Sequence, residues 1–111
     1  MAAKANIVID QGSDYSTIIT VTDDDGDAVD LTGYTGSGQM RKHYTSETKT
    51  DFNISFASPR FSGKVEISMA RDVTETLEPG RYVYDVEITS ASNIRSRLVE
   101  GIVTVTPEVT R

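Results

Sequence analysis

Residues 77–88, Leu-Glu-Pro-Gly-Arg-Tyr-Val-Tyr-Asp-Val-Glu-Ile, constrain the fold more than any other stretch of the chain. A Pro-Gly turn is followed at once by strict alternation. Tyr82, Tyr84, Val86 and Ile88 fall on one side, Arg81, Val83, Asp85 and Glu87 on the other. A period of two marks a half-buried strand, because successive side chains point to opposite faces of the pleat. A Tyr two residues after the turn glycine also matches the tyrosine corner, where a Tyr near the start of a sandwich strand bonds back to upstream backbone.

Comparable short runs recur along the chain, rich in β-branched and aromatic residues and separated by turn residues, while helical periodicity is nearly absent. Strands are expected near 5–10, 15–22, 35–44, 51–57, 63–69, 81–89 and 94–106. About seven strands in roughly 100 residues is the immunoglobulin-like count. The expectation is therefore an all-β, immunoglobulin-like antiparallel β-sandwich forming a single domain over 1–111, with one short helical turn near 70–77. Val73 and Leu77, four apart, are expected to cap one end of it. Between the first strands, Tyr15, Thr17, Ile19 and Val21 alternate with Ser16, Ile18 and Thr20, which leaves the buried face undetermined. Asp23-Asp24-Asp25-Gly26-Asp27 supplies a hairpin turn, since Asp and Gly tolerate positive φ. Val29, Leu31 and Tyr34 follow, with Gly33 permitting a sharp bend. Gly36 and Gly38 suggest a bulge or an edge in the next strand. Residues 45–50 are polar and aperiodic and read as a mobile loop. In the last strand Ile94 and Leu98 share one parity and Val103 and Val105 the other, so a bulge is expected at Glu100-Gly101.

Composition narrows the chemistry. The chain has 111 residues and no cysteine, so disulfides and thiolate metal sites are excluded. A length near the common domain size permits one real core without such staples. No stretch has the layout of a signal peptide, and none has the roughly 18 apolar residues of a membrane span, so a soluble protein without a readable export address is expected. The net charge is −6, with seven acids and one base in residues 1–30 and ten of each in residues 31–111. The imbalance thus lies wholly in the first quarter. Phosphate backbones attract clustered Lys and Arg, and only the pairs Arg41-Lys42 and Arg95/Arg97 come close, so nucleic acid is not an expected partner.

Candidate chemical residues each have a plainer reading beside them. Asp23, Asp25 and Asp27 offer oxygens of the kind Ca²⁺ takes, but an EF-hand loop counted from Asp23 would need Gly and Glu where Ala28 and Tyr34 stand. A solvated hairpin tip is the better reading. His43 is the sole histidine, and no nucleophile motif accompanies it; it reads as an exposed strand residue. Paired carboxylates for glycoside hydrolysis are compatible with 17 acids, yet tryptophan platforms are missing, and Tyr15, Tyr34, Tyr44, Tyr82 and Tyr84 are mostly explained by strand packing. No Gly-rich loop follows a strand and opens a helix, so phosphate cradling has no support. No catalytic, cofactor-binding or metal-ligating residue is assigned, and no enzymatic activity is expected.

Two segments carry a family likeness: Asp23-Asp24-Asp25-Gly26-Asp27-Ala28-Val29-Asp30-Leu31-Thr32-Gly33-Tyr34-Thr35, and the stretch from Leu77 to Arg111, with Gln39-Met40-Arg41 between them. They resemble small tailed-bacteriophage virion proteins, which carry "Asp-x-x-Gly-x-Pro-Val-Asp-Leu-Thr-Gly", a "Met-x-x-Arg"-like strand, "Leu-x-x-Gly-x-Tyr-x-Tyr-Asp" and a closing "Arg-Leu-x-x-Gly-x-Val-x-Val-x-Pro-Glu-Val-Thr". The likeness covers about half the residues and is similar to the immunoglobulin-like domains at the start of upper baseplate proteins. Ala28 stands where the pattern favours Pro. What the resemblance implies is a virion structural or adaptor role in tail, baseplate or neck, in many copies against other virion proteins, with no cofactor, nucleic acid or membrane. Head decoration and a glycan-binding adhesin module are the alternatives. A particle assembled in the host cytoplasm is the implied location.

Overall fold

The computed structural model describes residues 3–109. Eight strands carry the fold: β1 (Ala3–Lys4), β2 (Ile7–Asp10), β3 (Tyr15–Thr20), β4 (Thr35–Arg41), β5 (Thr50–Phe56), β6 (Lys64–Met69), β7 (Gly80–Thr89) and β8 (Arg95–Thr106). A 3₁₀ turn at Arg60–Ser62 and one helical turn, α1 (Arg71–Thr74), complete the elements. The hydrogen-bonded order is β1-β8-β7-β4-β5-β6-β3, with β2 continuing β1 along β8. β5 turns the sheet over. Its first residues pair with β4 (Gly38↔Phe52, Met40↔Thr50) and its last with β6 (Ile54↔Ile67, Phe56↔Val65). Two layers result, β1/β2-β8-β7-β4 and β5-β6-β3, with their inner faces packed together as in an immunoglobulin-like sandwich.

Pairing is antiparallel throughout except at β1 and β2, which run parallel to β8 (Ala3↔Val99, Ile7↔Val103, Asp10↔Thr106). The strand expected over 5–10 is thus two short ones, interrupted at Ala5-Asn6. That interruption explains Gly101. A Cβ there would collide with the Ala5 carbonyl oxygen, so glycine lets the break between β1 and β2 lie close against β8. The bulge expected at Glu100-Gly101 lies instead at Leu98: Val86 pairs with Val99 while Glu87 pairs with Arg97. Leu98 and Val99 both turn inward, which reconciles the two parities of this strand.

The larger apolar group joins Ile7, Ile9, Met40, Phe52, Ile67, Met69, Leu77, Tyr84, Val86, Val99, Val103 and Val105. A smaller one holds Leu31, Val65 and Ile88, and Ile54 and Leu98 touch both. Val65, Ile67 and Met69 point inward as their alternation requires. In β3, pairing with β6 (Thr17↔Ile67, Ile18↔Glu66) settles the face: Tyr15, Thr17 and Ile19 turn in, Ser16, Ile18 and Thr20 out.

Gly36 and Gly38 mark neither a bulge nor an edge. β4 lies inside the order, and a Cβ at Gly36 would meet Ile54 at 2.6 Å, one at Gly38 Ile54 and Val86 at 3.1 Å. Their bareness admits Ile54 as β5 swings from one layer to the other. At the 70–77 turn, Leu77 is buried, but Val73 is 36% exposed, and fully buried Thr74 takes the capping role. Its hydroxyl donates to the Ser13 carbonyl at 2.8 Å, so a polar side chain seals the end without an orphaned group.

Candidate functional site

The corner that opens β7 forms as its sequence requires. Gly80 adopts φ 139° and Tyr82 donates its hydroxyl to the Glu78 carbonyl at 2.7 Å. Burial, and then the charge of Glu78, holds the Tyr82 phenol above its usual pKa. Lys42 lies 4.7 Å over the ring, giving the corner a cationic lid. This tyrosine is structural: its polar atom is spent on backbone.

Asp23–Asp27 closes a hairpin at the end of β3. Asp23 N–H donates to Asp27 O at 2.9 Å, Gly26 N–H to Asp23 O at 3.0 Å, and Gly26 takes φ 85°. The Asp23 Oδ1 accepts from the Asp25 and Asp27 amides at 2.9 and 3.0 Å. One carboxylate oxygen from each of Asp23, Asp25 and Asp27 lies within 4.8 Å of the others, all exposed. Ca²⁺ takes six to eight oxygens, so three would leave most of its shell to water. The tip's evident effects are a closed turn and a local negative potential.

The next element follows directly. Asp30 Oδ1 accepts from the Thr32 hydroxyl at 2.6 Å and its amide at 3.0 Å, which holds the Asp30 carboxyl below the usual range. Gly33 takes φ 82°, and Leu31 is plugged into the core. Arg60 clamps this bend, donating to the Leu31 and Tyr34 carbonyls at 3.2 and 2.9 Å while stacking 4.7 Å from the Phe56 ring. Each residue of Asp-Leu-Thr-Gly therefore has a mechanical task.

The outward face of β4, β7 and β8 carries the charged side chains. A cleft of about 210 Å³ is lined there by Gln39, Arg41, Tyr44, Asp85, Arg97 and Glu100 among others. Arg97 bridges Asp85 at 3.4 Å and Glu100 at 3.0 Å. Burial raises the Asp85 pKa, Arg97 opposing it and Glu87 and Glu100 adding to it. Arg41 is committed to the loop after β4, where it donates to the Ser46 carbonyl and to Gln39. The 45–50 segment is thus anchored, and Thr50 already belongs to β5.

His43 lies past the end of β4, on an exposed turn rather than a strand, with its amide bonded to Ser46 Oγ at 3.0 Å. Tyr44 is 86% exposed at the cleft, so strand packing does not account for it as it does for Tyr84. Sequence reasoning passed over Gln11, whose amide donates to Leu77 O at 2.9 Å and whose oxygen accepts from Glu108 N–H at 3.0 Å. It also passed over Asn6, which accepts from Ile102 N–H at 3.1 Å. Both join segments far apart in sequence, and no local signal could have found them. One feature was legible in part. Residues 15–22 contain no charge, proline or glycine, and the first six of them form β3, the terminal strand of the order.

No family model matches the chain, and no curated protein matches it either. Solved structures do. An internalin-like protein of Listeria monocytogenes matches 95% of this chain at 15% identity with a TM-score of 0.52. A SrpA adhesin from Streptococcus sanguinis matches 92% at 12% identity with a TM-score of 0.53. The chain spans 28% and 55% of those two proteins. At such identities the likeness is one of fold.

Proposed function

We propose that this chain is a structural or adaptor component of a tailed-phage particle, in its tail, baseplate or neck, acting by protein–protein contact in a symmetric array and not by catalysis. The observation that carries the reading is the paired resemblance of residues 23–35 and 77–111 to phage virion proteins, stated above. It gains physical support because its residues are those that build the hairpin, the Leu31 plug, the tyrosine corner and β8. A small sandwich with unpaired strand edges suits repeated docking, since each copy reuses one interface and weak contacts add. Its partners are then other virion proteins, without nucleic acid or membrane.

Antibody labelling of purified particles tests this. Signal at the tail or baseplate supports it, signal on the capsid shifts it to head decoration, and absence from mature particles ends it. A second reading is favoured by the fold neighbours: a module of a longer bacterial surface adhesin. A specific glycan-array signal from the isolated chain, together with absence from particles, would replace the first reading with this one.

A further inference from the structure

We propose that the outer edge of β3 is a strand-docking site for an extended, basic-flanked segment of a different protein, which adds to the β5-β6-β3 layer as a fourth strand. The backbone geometry comes first. Val21 N–H donates to Gly63 O at 2.7 Å across the β3–β6 pairing. In an antiparallel ladder, alternate residues aim both backbone groups at the same neighbour. Tyr15, Thr17 and Ile19 therefore share Val21's direction, toward β6, and Ser16, Ile18 and Thr20 direct their N–H and C=O groups away from it. β3 pairs with β6 alone among the described residues.

Exposed edges are normally blunted by charge, proline, bulges or brevity. The opposite end of the order is: β1 and β2 are short, broken at Ala5-Asn6, and carry Lys4 and Asp10. β3 has none of these devices over six regular residues, and its outward Ile18 is 57% exposed. Such an edge pairs with another strand through main-chain bonds.

Charge selects the occupant. The neutral run is bounded by Asp14 on one side and Asp23, Asp24, Asp25 and Asp27 on the other, all exposed, and Glu66 of β6 pairs directly with Ile18. Lys64 opposite Thr20, Arg71 beside Asp14 and Arg97, which is already paired with Asp85 and Glu100, are the nearby bases, and the surroundings stay net negative. A second copy is a poor occupant. Antiparallel self-pairing centred on Ile18 keeps inward residues facing inward but sets Asp14 of each copy beside Asp23 of the other, at both ends. Like charges across strands destabilise. A strand with apolar–polar alternation and Lys or Arg at its ends meets every condition. This deepens the assembly reading and rests on it only for the existence of a partner. Failure to find the chain in particles would leave the edge result standing, and a failed edge would leave particle membership standing.

The test uses the isotope-labelled full chain with two synthetic peptides of alternating threonine and valine, one ended by lysine pairs, the other by glutamate pairs. The expected result is that the lysine-ended peptide slows amide exchange at Ser16, Ile18 and Thr20 at least tenfold. The glutamate-ended one should bind at least tenfold more weakly in low salt, a gap that narrows in 0.5 M salt. Ile18→Pro, which removes an outward N–H and no bond to β6, should abolish binding while the remaining spectrum stays native. Ile18→Lys should weaken it independently of any backbone strain. No binding by the lysine-ended peptide, equal binding of both, or native-like binding by both variants would overturn the proposal. Protection of the three amides in the free chain, rising with its own concentration, would assign the edge to a second copy instead.

Discussion

Tyr84 is 4% exposed beneath the start of β2 and donates its hydroxyl to the Ala5 carbonyl at 2.6 Å. Burial pushes its pKa up to about 12, the Tyr15 phenol adding to the effect. The folded state therefore keeps this proton where an unfolded chain, titrating near 10, would lose it. That contribution is whole below pH 10 and declines as pH rises from 10 toward 12. Tyr84→Phe should cost about 1 kcal/mol at neutral pH for the lost bond, and it should shallow the fall in stability over that alkaline window. Urea melts at pH 8 and pH 11 check both; an unchanged alkaline slope would contradict the assignment. Gly101 makes a second residue-scale case. Gly101→Ala must push the Ala5 backbone aside and should cost about 1–3 kcal/mol, as overpacking does. Its sequence context suggested a bulge, because the strand that needs the space lies nearly the whole chain away. The tyrosine corner, in contrast, was legible: all its atoms fall within Glu78–Tyr82, and local spacing fixes them.

The β3–β4 connection shows what can and cannot be read at the level of an element. Its turn residues, Asp23–Asp27 and Gly33, announce themselves because positive φ is a local demand. The clamp that holds it does not, because Arg60 arrives from the loop between β5 and β6. Leu31, between the Asp30 turn and Gly33, is fully buried against Val65 and Ile88. Leu31→Ala should destabilise by about 2–5 kcal/mol, the usual cost of a buried leucine, whereas Asp24, exposed and outside every recorded bond of the tip, should be replaceable by Asn within about 0.5 kcal/mol. Chemical denaturation of the two variants side by side would show whether this connection holds the core or merely spans it. The strand positions themselves were readable to within a few residues. The buried face of β3 was not, since Thr17 and Ile19 on one face and Ile18 and Thr20 on the other are all β-branched and only pairing with β6 distinguishes them.

At the scale of the molecule, the chain's two ends meet: β2 lies parallel to β8, pairing Ile7 with Val103 and Asp10 with Thr106. Parallel contact between first and last strands cannot be read from alternation, which says which residues are buried and nothing about their neighbours. It has a kinetic consequence. β7 and β8 form a hairpin closed within Ser90–Ile94, where Ser90 N–H donates to Ile94 O at 2.9 Å, so their pairing closes a short loop. β2 must instead wait for a loop of almost the whole chain, and long loops cost more entropy before their contacts reward it. Ile9 and Val86 are both fully buried in the same apolar group, so they compare like with like. Ile9→Val should lose about 1 kcal/mol and express it mainly as faster unfolding, with a φ-value below about 0.3. Val86→Ala should slow folding as well, with a value above about 0.5 if the β7–β8 hairpin is already built in the transition state. Stopped-flow chevrons for the two variants decide the order. Equal values would mean that the first strand docks together with the hairpin and that the parallel closure belongs to the nucleus; a higher value at Ile9 would make that closure the step on which the rest of the sandwich assembles.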